Sequence, residues 1–215
     1  MLGLNPSILI SRLIILGIAF TIHEFSHAWT ADRLGDDTPR LNGRLTLNPL
    51  AHLDIMGSLM LVFAGFGWAK PVPVNPYAIS RRSSAGLMLV SLAGPLSNFL
   101  LAVLAAIPFR LGLLQLSFSN SSSFFPSPSL FLIQFIYINL TLTLFNLIPL
   151  APLDGDKIAE YFFPPSWQRG LEKIRPYGPI ILLVLLFALP YVGIDIWGLI
   201  LEPPLRALLN LLIGG

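Results

Sequence analysis

A long apolar run near the start of the chain contains one ionisable cluster. The run from Ile8 to Trp29 is almost wholly apolar, apart from Arg12 and the pentapeptide His23-Glu24-Phe25-Ser26-His27. A stretch of this length is predicted to form a helix that can cross a bilayer. Ionisable side chains at membrane depth are costly, so the cluster is predicted to be a functional site.

The spacing of the two histidines predicts a metal site. On a helix, His23 and His27 lie one turn apart on the same face. Two imidazoles placed in this way can bind one zinc ion, and Glu24 beside them can deprotonate a water on the metal. We therefore expect Glu24 to act as a general base and then as the acid that protonates a leaving amine.

The composition excludes several classes of protein. Hydrophobic residues make up 54% of the 215 residues and charged residues only 11%, whereas a soluble domain has roughly 25% charged residues. An integral membrane protein is therefore expected, and a soluble peptidase is excluded. The 13 basic and 11 acidic residues form no basic tract, so no nucleic-acid partner is expected. Because cysteine is absent, metal ligands must come from histidine and carboxylate.

The apolar pattern predicts a helical bundle. The stretch 55–66 is too short to span, because a crossing helix needs about 20 residues, and is predicted to be re-entrant or packed within the bundle. A Ser- and Pro-rich loop is expected over 115–129. The predicted spans are about 8–30, 85–109, 130–149 and a last run over 179–189 that could continue past Pro190 to Ile200.

Two short stretches predict β structure. Residues 40–47 alternate around Asn42-Gly43, a dipeptide typical of a hairpin turn. The prolines of 70–76 forbid helix and favour an extended edge strand. The predicted fold is thus an all-α membrane protein, a polytopic transmembrane helix bundle with a small membrane-associated β-hairpin and edge strand. One domain is expected over 1–215, with a catalytic core over about 8–156 and C-terminal helices over about 157–215.

A catalytic zinc needs a third protein ligand. We favour Asp154, because Pro152 and Gly155 flank it at a broken helix end where a carboxylate can turn inward. The residues alone leave this open, since an aspartate beside proline and glycine is often a turn or cap residue. The other candidates near apolar segments are Asp54, Asp195, Glu202 and His52.

Amide side chains are candidates to stabilise an oxyanion. Asn146 and Asn98 both lie in apolar segments, where an amide could donate to developing negative charge. Asn98 could instead cross-link helices, and Gly94 is expected to permit close helix approach. His52 is expected to order the turn near Asp54, with a secondary catalytic role as the alternative.

The distribution of basic residues predicts the orientation. The loop before residue 130 has only Arg110, whereas ten basic residues fall on the opposite side. The side rich in basic residues is expected to be cytoplasmic, which places the metal site nearer the cytoplasm. The ten are Arg33, Arg40, Arg44, Lys70, Arg81, Arg82, Lys157, Arg169, Lys173 and Arg175.

Several motifs together resemble the site-2 protease family of intramembrane zinc metalloproteases. H-E-F-S-H at 23–27 matches its first motif, N-L-I-P-L-A-P-L-D-G at 146–155 its second, and A-G-P-L-S-N at 93–98 its small-residue motif. The stretches N-P-L-A-H-L-D at 48–54 and G-W-A-K-P-V-P-V-N-P at 67–76 look like the compact bacterial branch. The resemblance covers about 8–156, and we expect neither a PDZ nor a CBS domain.

The resemblance implies roles for individual residues. His23, His27 and Asp154 would bind one zinc ion, Glu24 would be the catalytic base, and Asn146 would contact the substrate backbone or the oxyanion. The proline-rich stretch would correspond to a membrane-associated strand beside the active site. We expect the edge near Val72 and Val74 to hold an unwound substrate by strand addition.

The resulting hypothesis is an intramembrane metalloendopeptidase of a bacterial cell membrane. Its substrates would be transmembrane helices of other membrane proteins, already shortened by an earlier cut, and its other partner would be the lipid bilayer. Two alternatives remain open from the sequence. One is a membrane protein that binds or transports metal, and the other is a catalytically silent adaptor that binds membrane helices. The oligomeric state is not predicted.

Overall fold

The protein is described by a computed structural model, in which residues 6–57, 60, 67–117 and 126–214 are placed. Helices dominate these residues, as the apolar runs predict. The long helices near the site are α1 (Pro6–Arg33), α4 (Gly86–Arg110) and α5 (Pro128–Asn146). The shorter helices α2 (Thr38–Leu41) and α3 (Pro76–Arg82) lie between α1 and α4.

The C-terminal part of the chain is also helical. It comprises α6 (Gly155–Phe162), α7 (Pro165–Ile174), α8 (Gly178–Leu183), a π-helical turn (Val184–Ala188), α9 (Leu189–Tyr191) and α10 (Ile196–Ile213). The run that sequence alone could extend to Ile200 ends at Tyr191. The chain turns there through Gly193 at φ 83°, and Asp195 caps α10 by accepting from the Gly198 amide at 2.8 Å.

Five helical segments in the described residues are long and apolar enough to cross a membrane. They are Ile8–Arg33, Gly86–Arg110, Pro128–Asn146, Pro165–Tyr191 and Ile196–Ile213. The prediction of a polytopic helical membrane protein is therefore confirmed. The first three agree closely with the spans predicted from the sequence, because each is a long apolar run bounded by polar or helix-breaking residues.

The predicted hairpin at 40–47 is wrong. Helix α2 occupies the start of this stretch, with Pro39 in its first turn, where proline is favoured. Asn42 follows as the C-cap, and its side chain donates to the Thr38 carbonyl at 2.8 Å. Gly43 then adopts φ 65°. An Asn-Gly pair serves equally as a hairpin turn or as a helix stop, and here it ends a helix.

The proline-rich stretch is not helical, as predicted, but it is not part of a sheet. Within the described residues the only β pairing is an isolated antiparallel bridge between Leu53 and Ala69. Residues 70–75, which we call the proline segment, follow this bridge without a strand partner. Val72 and Val74 are half-buried between exposed prolines, and this alternation is typical of an extended chain.

The predicted re-entrant stretch at 55–66 lies mostly outside the described residues. Its flanks are informative, because Leu53 pairs with Ala69. A Cβ on Gly57 would lie 2.1 Å from the Trp68 carbonyl oxygen. The described residues on the two sides of this stretch therefore lie next to each other.

Two apolar clusters pack the helices around the site. One joins α4, α5 and α10 through buried residues that include Ala102, Ile136 and Leu205. The other joins α1, α3 and α4 through Ala31, Ile79 and Val90, with Val74 packed against it. The histidines of α1 therefore lie against α4, beside this second cluster.

Candidate metal centre

Helix α1 supplies both histidines and the glutamate. His23, Glu24 and His27 are all buried, and they lie within one turn of each other. The His27 Nδ1 atom is 2.7 Å from the Val90 carbonyl oxygen of α4. Because a carbonyl can only accept, Nδ1 carries the proton and the Nε2 lone pair is left available for a metal.

Helix α4 approaches the two imidazoles directly at Gly94. A Cβ at this position would lie 2.4 Å from His27 Nε2 and 2.6 Å from His23 Cε1. Any side chain larger than hydrogen would therefore collide with both rings. The close helix approach expected at Gly94 is present, and it brings α4 against the histidines.

The turn after α5 carries Asp154 to the histidines. The chain leaves α5 at Asn146, and Asp154 is the N-cap residue of α6. A Cβ on Gly155 would lie 2.4 Å from the Leu147 carbonyl oxygen and 2.3 Å from that of Ile148. The turn thus folds back tightly on itself, and glycine is required for this approach.

Three donor atoms converge at one point. Asp154 Oδ2 lies 3.2 Å from His23 Nε2 and 3.4 Å from His27 Nε2, yet it is buried and makes no well-formed hydrogen bond. Tetrahedral zinc with bonds of about 2.0–2.1 Å separates its ligand atoms by about 3.3 Å. Both distances from Asp154 Oδ2 fit zinc. Within the described residues, these three side chains form the only group of His, Asp or Glu that could hold a metal ion.

The charge on Asp154 is favourable for such a role. Burial by itself would raise the pKa of its carboxyl group, but the His27 and His23 imidazoles hold that pKa below its ordinary value. An ionised carboxylate at this position can serve as an anionic metal ligand. A further set of contacts fixes the turn: Arg175 Nε donates to the buried Asp156 carboxylate at 2.7 Å.

Glu24 has an arginine neighbour in the described structure. Arg44 Nη2 lies 4.0 Å from Glu24 Oε2, and the Arg44 side chain is only 5% exposed. The same guanidinium donates to the Lys70 carbonyl at the start of the proline segment. Burial lowers the pKa of Arg44, although the Glu24 charge opposes this shift.

The two asparagines lie on helices that contribute to the centre. Asn146 ends α5 immediately before the turn that carries Asp154, and its Nδ2 donates to the Leu142 carbonyl at 3.0 Å. Asn98 lies one helical turn beyond Gly94 on α4. It is fully buried, and neither its Oδ1 nor its Nδ2 has a partner in the described structure.

His52 is not brought to the metal donors. It is fully buried, and its Nε2 is 2.8 Å from the Thr46 carbonyl oxygen. Its own carbonyl accepts from the Lys70 amide at 2.8 Å. These contacts order the loop before the proline segment.

The proline segment is fixed at both ends and open between them. At its start, the Lys70 amide and carbonyl are bonded to His52 and Arg44. At its end, the Asn75 amide donates to the buried Asp36 carboxylate at 2.6 Å. Among the described residues, no hydrogen bond involves the backbone groups of Val72 and Val74, and the Val74 side chain packs inward.

Sequence reasoning missed Arg44 and Asp36. Both are buried, and both contact residues far along the chain, at separations of 26 and 39 residues. In the sequence they fall in a polar stretch typical of a solvated loop. No local pattern distinguishes them from their charged neighbours.

Comparison with known proteins agrees with this centre. The protein of Bacillus subtilis (strain 168) named "Putative zinc metalloprotease YwhC" is 41% identical over 198 residues, which cover 91% of this chain and 86% of that protein. "Putative zinc metalloprotease Rip2" of Mycolicibacterium smegmatis is 34% identical over 175 residues, 79% of this chain and 63% of that protein. No family model and no solved structure matches the chain.

The relatives and the centre define one class, a multi-pass membrane protein of the metalloprotease type. The chain belongs to the site-2 protease family.

Proposed function

We propose that this protein is a zinc metalloendopeptidase that hydrolyses peptide bonds within or near transmembrane segments of other membrane proteins. The observation that carries the proposal is the convergence of His23, His27 and Asp154, with Glu24 beside them, inside a bundle of apolar helices. His23 lies ten residues before the end of α1 at Arg33, or about 15 Å along the helix. The centre is therefore expected at membrane depth.

In this proposal, three residues bind the metal and a fourth transfers protons. His23, His27 and Asp154 would hold zinc. When bound, zinc polarises the peptide carbonyl and lowers the pKa of a water to about 7. Glu24 accepts a proton from the attacking water and returns it to the leaving amine. Asn146, beside the turn that carries Asp154, is the amide donor for the oxyanion, and Asn98 is a second candidate for substrate contact.

The peptide groups of a transmembrane helix are engaged in hydrogen bonds within the helix. The substrate must therefore unwind before water can attack a peptide carbonyl. The open backbone of Val72 and Val74 can hold the unwound chain. In an extended chain, alternate residues direct their N–H and C=O groups to opposite edges. Val72 and Val74 therefore share an edge, while Pro71 and Pro73, which lack N–H groups, fall on the other. The usable edge is the one that also contains Lys70.

The excess of basic residues on one side supports a cytoplasmic location for the opening of the site. The substrates that fit this geometry are transmembrane helices already shortened by an earlier cut, because a large outer domain would hinder their entry. The proposal thus assigns the protein to regulated intramembrane proteolysis in a bacterial cell membrane.

The test uses the purified full chain in lipid nanodiscs. The probe is a tagged reporter with one span of about 20 apolar residues, interrupted by a Gly-Pro pair that weakens the helix. Wild-type protein loaded with zinc is expected to cut the reporter in or near the span, and Glu24→Gln is expected to retain zinc while kcat falls by about 100-fold or more.

Either of two outcomes would reject the proposal. One is full turnover by zinc-loaded Glu24→Gln, because the chemistry would then not need this base. The other is the absence of cleavage by zinc-loaded wild type, which would favour a silent adaptor. Zinc flux through proteoliposomes that is lost on removing the histidines would instead indicate a transporter.

A further inference from the structure

One guanidinium connects the proposed base with the proposed substrate-binding segment. Arg44 Nη2 lies 4.0 Å from Glu24 Oε2, and the same group donates to the Lys70 carbonyl. Glu24 belongs to α1 and Lys70 begins the proline segment. These two parts of the site come from distant stretches of the chain, and Arg44 contacts both.

The burial of Arg44 argues against an incidental surface contact. Its side chain is 5% exposed, and its Nε is buried without a partner in the described structure. A buried cation is costly unless it is paired. Within the described residues, Glu24 is the one carboxylate within 4.0 Å of it. Arg44 therefore has a substantial electrostatic reason to stay beside Glu24.

One nitrogen of Arg44 makes both contacts, because Nη2 lies near Glu24 and also donates to the Lys70 carbonyl. The planar guanidinium holds this nitrogen in a fixed orientation, unlike the freely rotating ammonium of lysine. At 4.0 Å the contact with Glu24 is an ion pair and not a hydrogen bond. The carboxylate oxygens thus remain available to accept a proton from water, while the opposite charge restrains where the carboxylate lies.

From these contacts we propose that Arg44 is a positioning residue, which fixes the Glu24 carboxylate relative to the start of the proline segment. The inference rests on the proposed function. A peptide paired along Val72 and Val74 would then be held at a set distance from the base. Displacing a reacting group by about 1 Å can cost about 100-fold in rate, so this restraint acts mainly on kcat.

The experiment compares Arg44→Gln and the milder Arg44→Lys with Arg169→Gln. Arg169 is exposed and on the same predicted side of the membrane, so its replacement makes the same charge change away from the site. Zinc content, kcat and KM are measured with the same reporter in nanodiscs. We expect Arg44→Gln to keep zinc, to lower kcat by about 10- to 100-fold and to change KM by less than about 3-fold. Arg44→Lys is expected to fall between Arg44→Gln and wild type.

A double-mutant cycle separates positioning from general structural support. If Arg44 acts through Glu24, adding Arg44→Gln to Glu24→Gln should lower the residual rate by less than about 3-fold. A structural role would lower the rate equally in both backgrounds. That additive result would overturn the proposal, as would unchanged kcat in Arg44→Gln. Loss of zinc in both Arg44 variants but not in Arg169→Gln would overturn it too.

Failure of the two proposals can be told apart. If zinc-loaded wild type cuts the reporter but Arg44→Gln does so equally well, only the role of Arg44 is rejected. If wild type does not cut at all, the proposed function fails and the role of Arg44 fails with it.

Discussion

At the scale of single residues, the geometry of the centre depends on the absence of a side chain at Gly94 as well as on His23, His27 and Asp154. Gly94 lets α4 lie against both imidazoles, with no room for a Cβ beside His23 and His27. The His27 ring is also held by the Val90 carbonyl of the same helix. The orientation of the two imidazoles is therefore set by α4 as well as by the helix that carries them.

Replacing Gly94 with alanine tests this dependence. The added methyl group must displace the imidazoles or the helix, so we expect Gly94→Ala to weaken zinc affinity by about 10- to 100-fold, as reorienting metal-bound histidines does elsewhere. The measurement is competition for zinc with a chromophoric chelator. Gly17→Ala is the matched control on α1, because a Cβ there meets nothing within 4 Å. Equal zinc affinity in both variants would contradict the account.

The sequence alone predicts some residues of the candidate site and not others. His23 and His27 were predictable because their spacing on a helix defines a face before any tertiary structure forms. Asp154 was left open by the residues alone, since an aspartate beside proline and glycine is equally a cap. Here it is an N-cap residue and also lies with His23 and His27 in a group that could hold a metal ion. Arg44 was not predictable, because its partners are set by tertiary packing.

At the scale of elements, the proline segment is the part of the site without regular structure. Its ends are fixed by Arg44 and Asp36, and among the described residues no hydrogen bond involves the backbone groups of Val72 and Val74. The sequence predicted an extended stretch here correctly, because alternating prolines exclude helix. The predicted hairpin failed, because the Asn42-Gly43 signal does not distinguish a hairpin from a helix end.

Substitution of Val72 by proline removes one of the two open N–H groups. If a substrate pairs with this edge, Val72→Pro should raise KM by about 2- to 10-fold, which corresponds to one hydrogen bond, with little change in kcat. Val72→Ala is the control, because it shortens the side chain and keeps the N–H group. Both are assayed with the Gly-Pro reporter. The strand-pairing account fails if the alanine variant raises KM as much as the proline variant.

At the scale of the whole molecule, the segment Pro165–Tyr191 is attached to the turn that carries Asp154. Arg175 bonds the buried Asp156 carboxylate and also contacts Glu160. A Cβ on Gly178 would lie 2.1 Å from the Ala151 carbonyl oxygen. The C-terminal helices are therefore packed against the turn that carries Asp154. No local sequence pattern indicates this arrangement.

The orientation of the bundle can be measured without removing any native thiol, because the chain has no cysteine. Arg169 and Leu113 are both exposed and lie on opposite predicted sides. We expect Arg169→Cys to react with a membrane-impermeant maleimide only in inverted vesicles. Leu113→Cys is expected to react only in intact cells whose outer envelope has been made permeable to the reagent. The reverse pattern would place the site toward the outside and contradict the charge argument.

The proposed function requires His23, His27 and Asp154 to bind one zinc ion together. Zinc K-edge X-ray absorption on the purified protein measures this binding. We expect one zinc per chain with two imidazole nitrogens at about 2.0–2.1 Å and oxygen ligands at about 2.0–2.2 Å, and loss of this spectrum in Asp154→Asn but not in Asp37→Asn. A wild-type spectrum without imidazole scattering, or one unchanged in Asp154→Asn, would contradict it.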